Sequence, residues 1–327
     1  LNPIEHAENL PDWSHLLAKE GRFWSRAKKN AQHGPDILVA TAVGGFAALS
    51  SLESLLAVAL TLRGARVHTF LCDASLPTCL RVEYPVIPDP QVIADYGIQQ
   101  RLCDACQQTG QYLFGPLGLH SHKLSNLLTG ASQERARRLA LEVPLEAVQN
   151  FELDGVAVGE HAYAGALRYF ASGNLNHEPL GEVVVRRYLE AAILTAEGLY
   201  TLAHQYRFAS SCFNHGIYCP QGVVGEVLRK VGTRVVNWNI AYRKKCFIFS
   251  HDDSYHHTLL TEPVETWETM PWGDAAEAEI TQYLRSRWQG SNDWIWFHEK
   301  PDEQFDRIAR ELGLDTAKPI IGMLTNV

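Results

Sequence analysis

Positive charge is in short supply in this sequence: 29 Lys and Arg face 37 Asp and Glu, leaving a net charge of −8 and a pI near 6.0. Phosphate backbones select basic faces, so this balance argues against nucleic acid as a partner. A secretory signal pattern is missing as well. Leu1 to Asp12 has neither a basic start nor an apolar run, and cytoplasmic residence is the expectation. Seven cysteines in a chain long enough to bury its own core do not make a secreted disulfide scaffold. Nor is there an uninterrupted membrane span, because the most apolar stretch, Ile37 to Leu62, is broken by Gly44-Gly45, Ser50, Ser51 and Glu53.

What remains is a globular composition, 46% hydrophobic and 20% charged, over 327 residues that accommodate about two domains or one large α/β unit. The stretch from Ile37 divides into a strand (Ile37 to Thr41), a glycine turn and a helix (Phe46 to Arg63). Gly64 closes the helix, and a second apolar strand, Val67 to Leu71, follows. Continuous apolar strands flanking a helix are what a parallel sheet buried on both faces requires, so the opening predicts a βαβ unit. Periodicity predicts further helices over Ser132 to Leu141, Val183 to His204 and Asp302 to Gly313. Further strands are predicted over Gly155 to Val158, Arg207 to Phe213, Arg234 to Trp238 and Cys246 to Phe249. The organisation reads as one Rossmann-like domain over 1–317 with a cysteine-containing insert near 72–110, and a new strand beginning in KPIIGMLTNV at 318–327. Trp267, Trp272, Trp288, Trp294 and Trp296 read as packing residues rather than sugar-stacking faces.

Four cysteines crowd together. Cys72 and Cys79 flank DASLPT, and Cys103 and Cys106 form a C-x-x-C. Two such pairs can close a tetrahedral thiolate site, and four thiolates leave no open position, so zinc here would be structural. The competing reading is four reduced, unliganded thiols, with Cys72 packed at a strand end.

Residues just past the C-terminal ends of parallel strands face the crevice where α/β folds place ligands. Gly159-Glu160-His161 falls where the predicted strand Gly155 to Val158 should turn into a helix. Glu160 and His161 are therefore candidates for removing a proton from an attacking hydroxyl, the alternative being a dipole-stabilised helix carboxylate and a core histidine. After Arg207 to Phe213 comes Asn214-His215-Gly216-Ile217-Tyr218-Cys219-Pro220-Gln221-Gly222, a turn into a helix whose free amides would face the crevice. His215 is the third base candidate, and Gly216, Tyr218, Gln221 and Gly222 are candidate substrate contacts. Arg243, Ser250, His251, Tyr255 and His256 extend that set toward polar sugar or phosphate recognition, against the alternative that Asp252 or Asp253 merely caps a helix. Gly44 and Gly45 would keep the first loop low enough for a ligand to approach, or would serve only helix packing.

The segments GGFAALSSLESLLAVALTLRGARVHTFLCDASLPTC, CDAC, GEHAYAGALRYFASG, NHGIYCPQGVVGEVLRKVG and FIFSHDDSYHHTLLTEP together resemble capsule-polysaccharide-type glycosyltransferases of the two-Rossmann-domain (GT-B) architecture. The resemblance covers most of the chain. It implies that the sequence is mainly the N-terminal, acceptor-side half, with IIGMLTNV as the first strand of a donor half that would hold the nucleotide sugar. On that footing 1–327 alone would be inactive, catalysis would need no cofactor, and the acceptor would be a glycan or a lipid-linked glycan. A lipid-linked acceptor would bring weak peripheral association with the inner membrane. Two other readings stay open. One is an NAD-type Rossmann oxidoreductase, for which Asp73 ends the second strand where an acid would meet the ribose hydroxyls, although TAVGGFAALS lacks G-x-G-x-x-G. The other is a non-catalytic binding scaffold stapled by zinc.

Overall fold

A computed structural model of the chain describes residues 10–241, 245–288 and 304–321. Asp12 accepts the His15 amide at 2.9 Å and opens helix α1 (Trp13–Ala31). The predicted βαβ unit follows as β1 (Asp36–Ala42), α2 (Ala47–Leu62) and β2 (Arg66–Leu71), with Gly64 at φ +90° reversing the chain between α2 and β2. Next come a short helix α3 (Pro90–Ala94), a π-helical turn Gln99–Cys103 that runs into α4 (Asp104–Phe114), and a polar strand β3 (His120–Lys123). Two predicted helices appear as α5 (Gly130–Glu142), opened by a Thr129–Ser132 capping box, and as α7 (Gly181–Gln205), with α6 (Val158–Phe170) between them. Then β4 (Ser210–Asn214), α8 (Gln221–Lys230), β5 (Arg234–Ile240), β6 (Phe247–His251) and α9 (Tyr255–Thr261) follow in the predicted alternation.

The strand order is β3-β2-β1-β4-β5-β6, and the pairings β3–β2, β2–β1, β1–β4 and β4–β5 are all parallel. This is a Rossmann-like α/β sheet flanked by helices, and its order reverses between β1 and β4, the switch point at which such sheets open a crevice. Period-2 alternation along β1 serves both faces. Leu38, Ala40 and Ala42 join the core built by α6, α7 and α8, whereas Val39 packs with Ala57 of α2 and Val67 of β2. The central helix α7 is buried along most of its length, which is why VVVRRYLEAAILTAEGLYTLAH is apolar almost all round. On the other face Trp13 and Trp24 of α1 pack against Leu113, Phe114 and Leu117.

One predicted strand does not form. Gly155 to Val158 contributes only an isolated bridge between Leu153 and Val156, and Val158 already begins α6. Gly155 turns the chain at φ +77°, and a Cβ at Gly159 would stand 1.9 Å from the Val148 carbonyl oxygen, so the segment is a tight turn seated in the helical layer. No helix among the described residues is long and apolar enough to cross a membrane.

The chain divides into two compact units, Leu1–Asn239 with Phe249–Leu260, and Ile240–Ile248 with Thr261–Val327. The second contains α10 (Val264–Glu268), α11 (Asp274–Trp288) and α12 (Phe305–Glu311). Trp267 and Trp272 are exposed rather than packed, because the short α10 and the loop after it bury none of their apolar side chains. Trp294 and Trp296 lie outside the described residues. Pro319 to Ile321 is not in a strand, and the rest of the predicted terminal strand lies outside the described residues.

Candidate functional site at the C-terminal strand ends

A run of irregular backbone lies at the end of β4, beside the switch point. His215 and Tyr218 adopt φ +73° and +62°, flanking Gly216 at +79°, and Cys219–Pro220 is cis. A side chain forced into the left-handed region costs about 1–2 kcal/mol, and such strain collects at ligand sites. The turn is held by its neighbours on β5. The His215 amide donates to the Trp238 carbonyl at 2.9 Å, and Asn214 Nδ2 donates to the same oxygen at 3.1 Å. Gly216 is required here, since a Cβ would lie 2.6 Å from Asn237 Nδ2.

Rings gather over this turn. His215 lies 5.4 Å from Tyr218, 6.3 Å from Tyr255 and 6.2 Å from His256, centroid to centroid, and the Arg168 guanidinium sits 5.6 Å over the Tyr218 ring. Arg168 is fixed by donating to the Leu80 carbonyl and to Glu83, and Leu80 in turn donates to the Cys219 carbonyl, so the loop after β2 is strapped to the loop after β4. Burial, then the neighbouring His256 and Arg168, pushes the His215 pKa down to about 4, which leaves a neutral imidazole at physiological pH. Its Nδ1 has no hydrogen-bond partner. The same holds for His256 Nε2, Gln221 Oε1, the Ser254 and Ser250 hydroxyls and His161 Nε2, all of them buried atoms.

His161 does reach this neighbourhood, but from inside α6. A Cβ at Gly222, in the first turn of α8, would stand 2.2 Å from His161 Nδ1, so Gly222 is a packing glycine for that ring. Burial lowers the His161 pKa, and Glu226 lies 4.0 Å from its Nε2. Glu160, one position earlier, is exposed on the first turn of α6 and does not follow a parallel strand, because the predicted strand before it is the turn described above. His251 is also apart from the others. It meets Arg234, the first residue of β5, at 3.2 Å, and Asp252 exchanges hydrogen bonds with Val235, so β6 carries His251 toward the N-terminal end of the parallel strands. Ser250 is buried on β6, Asp253 accepts the Ser254 amide ahead of α9, and Arg243 lies outside the described residues.

A cavity of about 710 Å³ opens at the ends of β1, β2 and β3. Its lining is rich in amides and hydroxyls, among them Gln107, Gln108, Gln111, Ser121 and Asn126, with Asp73 and Lys123 as its charged side chains. The Asp73 carboxylate is already engaged by the Ser75 hydroxyl and by the amide and hydroxyl of Ser125, which lower its pKa against the opposing effect of burial. Gly44 lines this cavity, yet its first role is contact: a Cβ there would lie 2.8 Å from the Gly110 Cα of α4. Gly45 likewise abuts Cys106 and donates its amide to Cys106 Sγ at 3.1 Å.

Cys72, Cys79, Cys103 and Cys106 line one small cavity of about 20 Å³. Burial raises all four pKa values, to about 11 for Cys72 and about 12 for Cys103, so they are neutral thiols. Among the described residues no group of three or more His, Cys, Asp or Glu is arranged to hold a metal ion, so the expected zinc cage is not formed by the thiols as they stand. Spacing in the chain brought the cysteines to one place; it does not bring protonated sulfurs to one point.

One residue of this region gave no functional signal in the sequence. Glu53 of α2 is 2% exposed and reaches behind the switch point, where its Oε1 accepts the Asn214 amide at 2.8 Å and Trp238 Nε1–H at 3.1 Å. Burial pushes its pKa up to about 7. A lone carboxylate inside an apolar helix was the available clue, since such a group is rarely buried without partners. No family model and no curated protein matches the chain.

Proposed function

We propose that the first unit is the acceptor-side half of a glycosyltransferase of surface or capsular polysaccharide synthesis, moving a sugar from a nucleotide sugar to a glycan or lipid-linked acceptor. The observation that carries the reading is the set of unpaired buried polar atoms at the end of β4, led by His215 Nδ1, Gln221 Oε1 and His256 Nε2. Buried polar atoms without partners call for a ligand or ordered water, and a polyhydroxyl compound offers both donors and acceptors. Tyr218 and Tyr255 supply ring faces for the apolar side of a sugar. The large neutral-polar cavity at the ends of β1 to β3 suits further sugar units of a chain better than a polyphosphate, because Lys123 is the only cation in its lining among the described residues.

In this reading His215 takes the proton as the acceptor oxygen attacks the anomeric carbon. The bond from that carbon to the nucleoside diphosphate breaks, and the diphosphate leaves with the electron pair. The neutral imidazole is free to accept a proton, and of the three base candidates His215 alone follows a strand of the sheet. The donor would be held by a second Rossmann-like domain, and leaving-group stabilisation would come from helix N-termini and basic side chains rather than a cofactor.

The test is binding of capsule-type oligosaccharides to the purified chain by ligand-observed NMR, with His215→Gln and Tyr218→Ala beside it. Specific binding that weakens at least tenfold in both variants, with circular dichroism unchanged, supports the reading. Absence of glycan binding, or tight binding of NAD in its place, refutes it.

A further inference from the structure

We propose that α1 and α2 together form a docking face for an anionic lipid bilayer, on which the chain rests peripherally with the outer side of α2 against the lipid. The inference is independent of the glycosyl-transfer reading.

Helix α2 is inside out. Its polar side chains, Ser50, Ser51, Glu53, Ser54 and Thr61, are all buried, and every residue it exposes or half-exposes is Ala, Leu or Val. A surface helix of a globular protein turns its apolar stripe toward the core and its polar residues outward. Here the polar residues find partners inside. Glu53 accepts the Asn214 amide and Trp238 Nε1–H, Ser50 donates to the Gly44 carbonyl, and Ser54 accepts Trp13 Nε1–H at 3.0 Å. The outward side carries Leu55 and Leu62, 46% and 47% exposed, with Ala48 and Ala59 exposed and Leu52 half-buried between them. These five positions recur at spacings of three and four, so they form one stripe along the helix. No charged residue interrupts it.

The Trp13 bond seats α1 alongside α2, and α1 is basic. Its span holds Lys19, Arg22, Arg26, Lys28 and Lys29 against one acid, Glu20, in a chain of net charge −8. Lys28 donates to the Leu117 and Gly118 carbonyls. The other four cations are exposed, and among the described residues none of them is in an ion pair. Leu16 and Phe23, 46% and 57% exposed, stand seven residues apart, as do Lys19 and Arg26, and Arg22 and Lys29. Seven residues are close to two turns, so α1 presents an apolar stripe with two cationic stripes running beside it. Arg63, exposed at the C-terminal cap of α2, adds a further cation.

Exposed leucines and a phenylalanine beside unpaired cations suit the bilayer interface, where apolar side chains enter the acyl boundary and Lys and Arg meet anionic headgroups. Charge decides the occupant. A second copy docking through the same face would bring two basic surfaces together, because such a contact uses one patch twice. A bilayer with anionic lipid offers both an apolar layer and negative charge. The 16 residues of α2 extend about 24 Å, short of a hydrocarbon core of about 30 Å, and their polar side is bonded to the protein, so the contact is with one leaflet. Attraction acts only near the face, within about 8 Å at physiological salt, and the excess of acids elsewhere in the chain does not cancel it.

Flotation of the purified full chain with vesicles tests the proposal, using phosphatidylcholine alone and phosphatidylcholine mixed equally with phosphatidylglycerol. Binding to the mixed vesicles should exceed binding to the neutral ones at least tenfold and should be lost at high salt. Lys19→Glu with Arg26→Glu, and separately Leu55→Ser with Leu62→Ser, should each weaken binding about tenfold or more, with circular dichroism unchanged. Arg138→Glu, an exposed position on α5, should leave it as it is. The dependence of the unaltered chain on lipid charge and salt reads the proposal even where a variant fails to fold. No flotation with anionic vesicles at low salt, equal flotation with neutral ones, or binding that survives both double variants overturns it. A stable dimer that Leu55→Ser with Leu62→Ser dissociates, in a chain that does not float, also overturns it and assigns the face to a second copy.

Discussion

Replacing Glu53 by Gln should change how stability depends on pH, and the size of the change follows from the structure. The carboxyl is buried behind the switch point, and its pKa rises from 4.5 to about 7. The folded state therefore binds this proton more tightly than the unfolded chain does. Stability from this group is fully present below about pH 4.5, falls as pH rises from there to about 7, and stays lost above it. At about 1.4 kcal/mol per pH unit, the interval from 4.5 to about 7 corresponds to roughly 3 kcal/mol. Gln has nearly the same shape and no charge. Its carbonyl oxygen can accept the Asn214 amide and Trp238 Nε1–H as Glu53 Oε1 does, and its amide can donate to the Thr41 hydroxyl, which bonds the Glu53 carboxyl in the wild type. Urea denaturation of both proteins from pH 5 to 8.5 measures the effect, with all other titrating groups cancelling in the difference. The variant should gain on the wild type as pH rises, reaching an advantage of about 2–3 kcal/mol by pH 8.5. Parallel curves would refute the raised pKa. A variant that loses ground at alkaline pH would show that the two N–H donors hold the anion in preference to the acid.

Two further outcomes are expected. Burial lowers the pKa of His161, so its contribution to stability is complete above about pH 6.5 and is lost as pH falls below it; His161→Gln should flatten the acid limb of the melting temperature between pH 7 and 5, and an unchanged limb would show that the ring is hydrated. Gly44→Ala should cost about 1–3 kcal/mol in chemical denaturation, because the new methyl meets the Gly110 backbone, whereas Gly21→Ala on α1 meets nothing within 4 Å and should be neutral or stabilising by up to about 1 kcal/mol.

Much of the fold is legible in local pattern. Apolar runs separated by Gly44-Gly45 and Gly64 announce β1, α2 and β2, since each of those residues is chosen by its own element and its immediate turn. The alternation of β4, α8 and β5, with the His215 turn between strand and helix, is legible for the same reason. The polar edge strand β3 is not. HSHK has no apolar alternation, and it is a strand because His68 to Leu71 of β2 lie in register beside it, with His68 Nδ1 2.8 Å from His122 Nε2. Glu160 misled for the opposite reason: a short apolar run has the composition of a strand and the partners of a turn.

The amino-acid order by itself determined where the glycines, apolar runs and helix ends lie, and so the succession of strands and helices, because those preferences act over a few residues. Only the tertiary structure decided which of them meet. Pairing β1 with β4 brings Leu38 against Ser211 across 173 positions and carries Glu53 to Asn214 across 161. It also sets His161 against Gly222. No local period encodes such meetings, since they arise from burying both faces of one sheet whose strand order differs from its chain order.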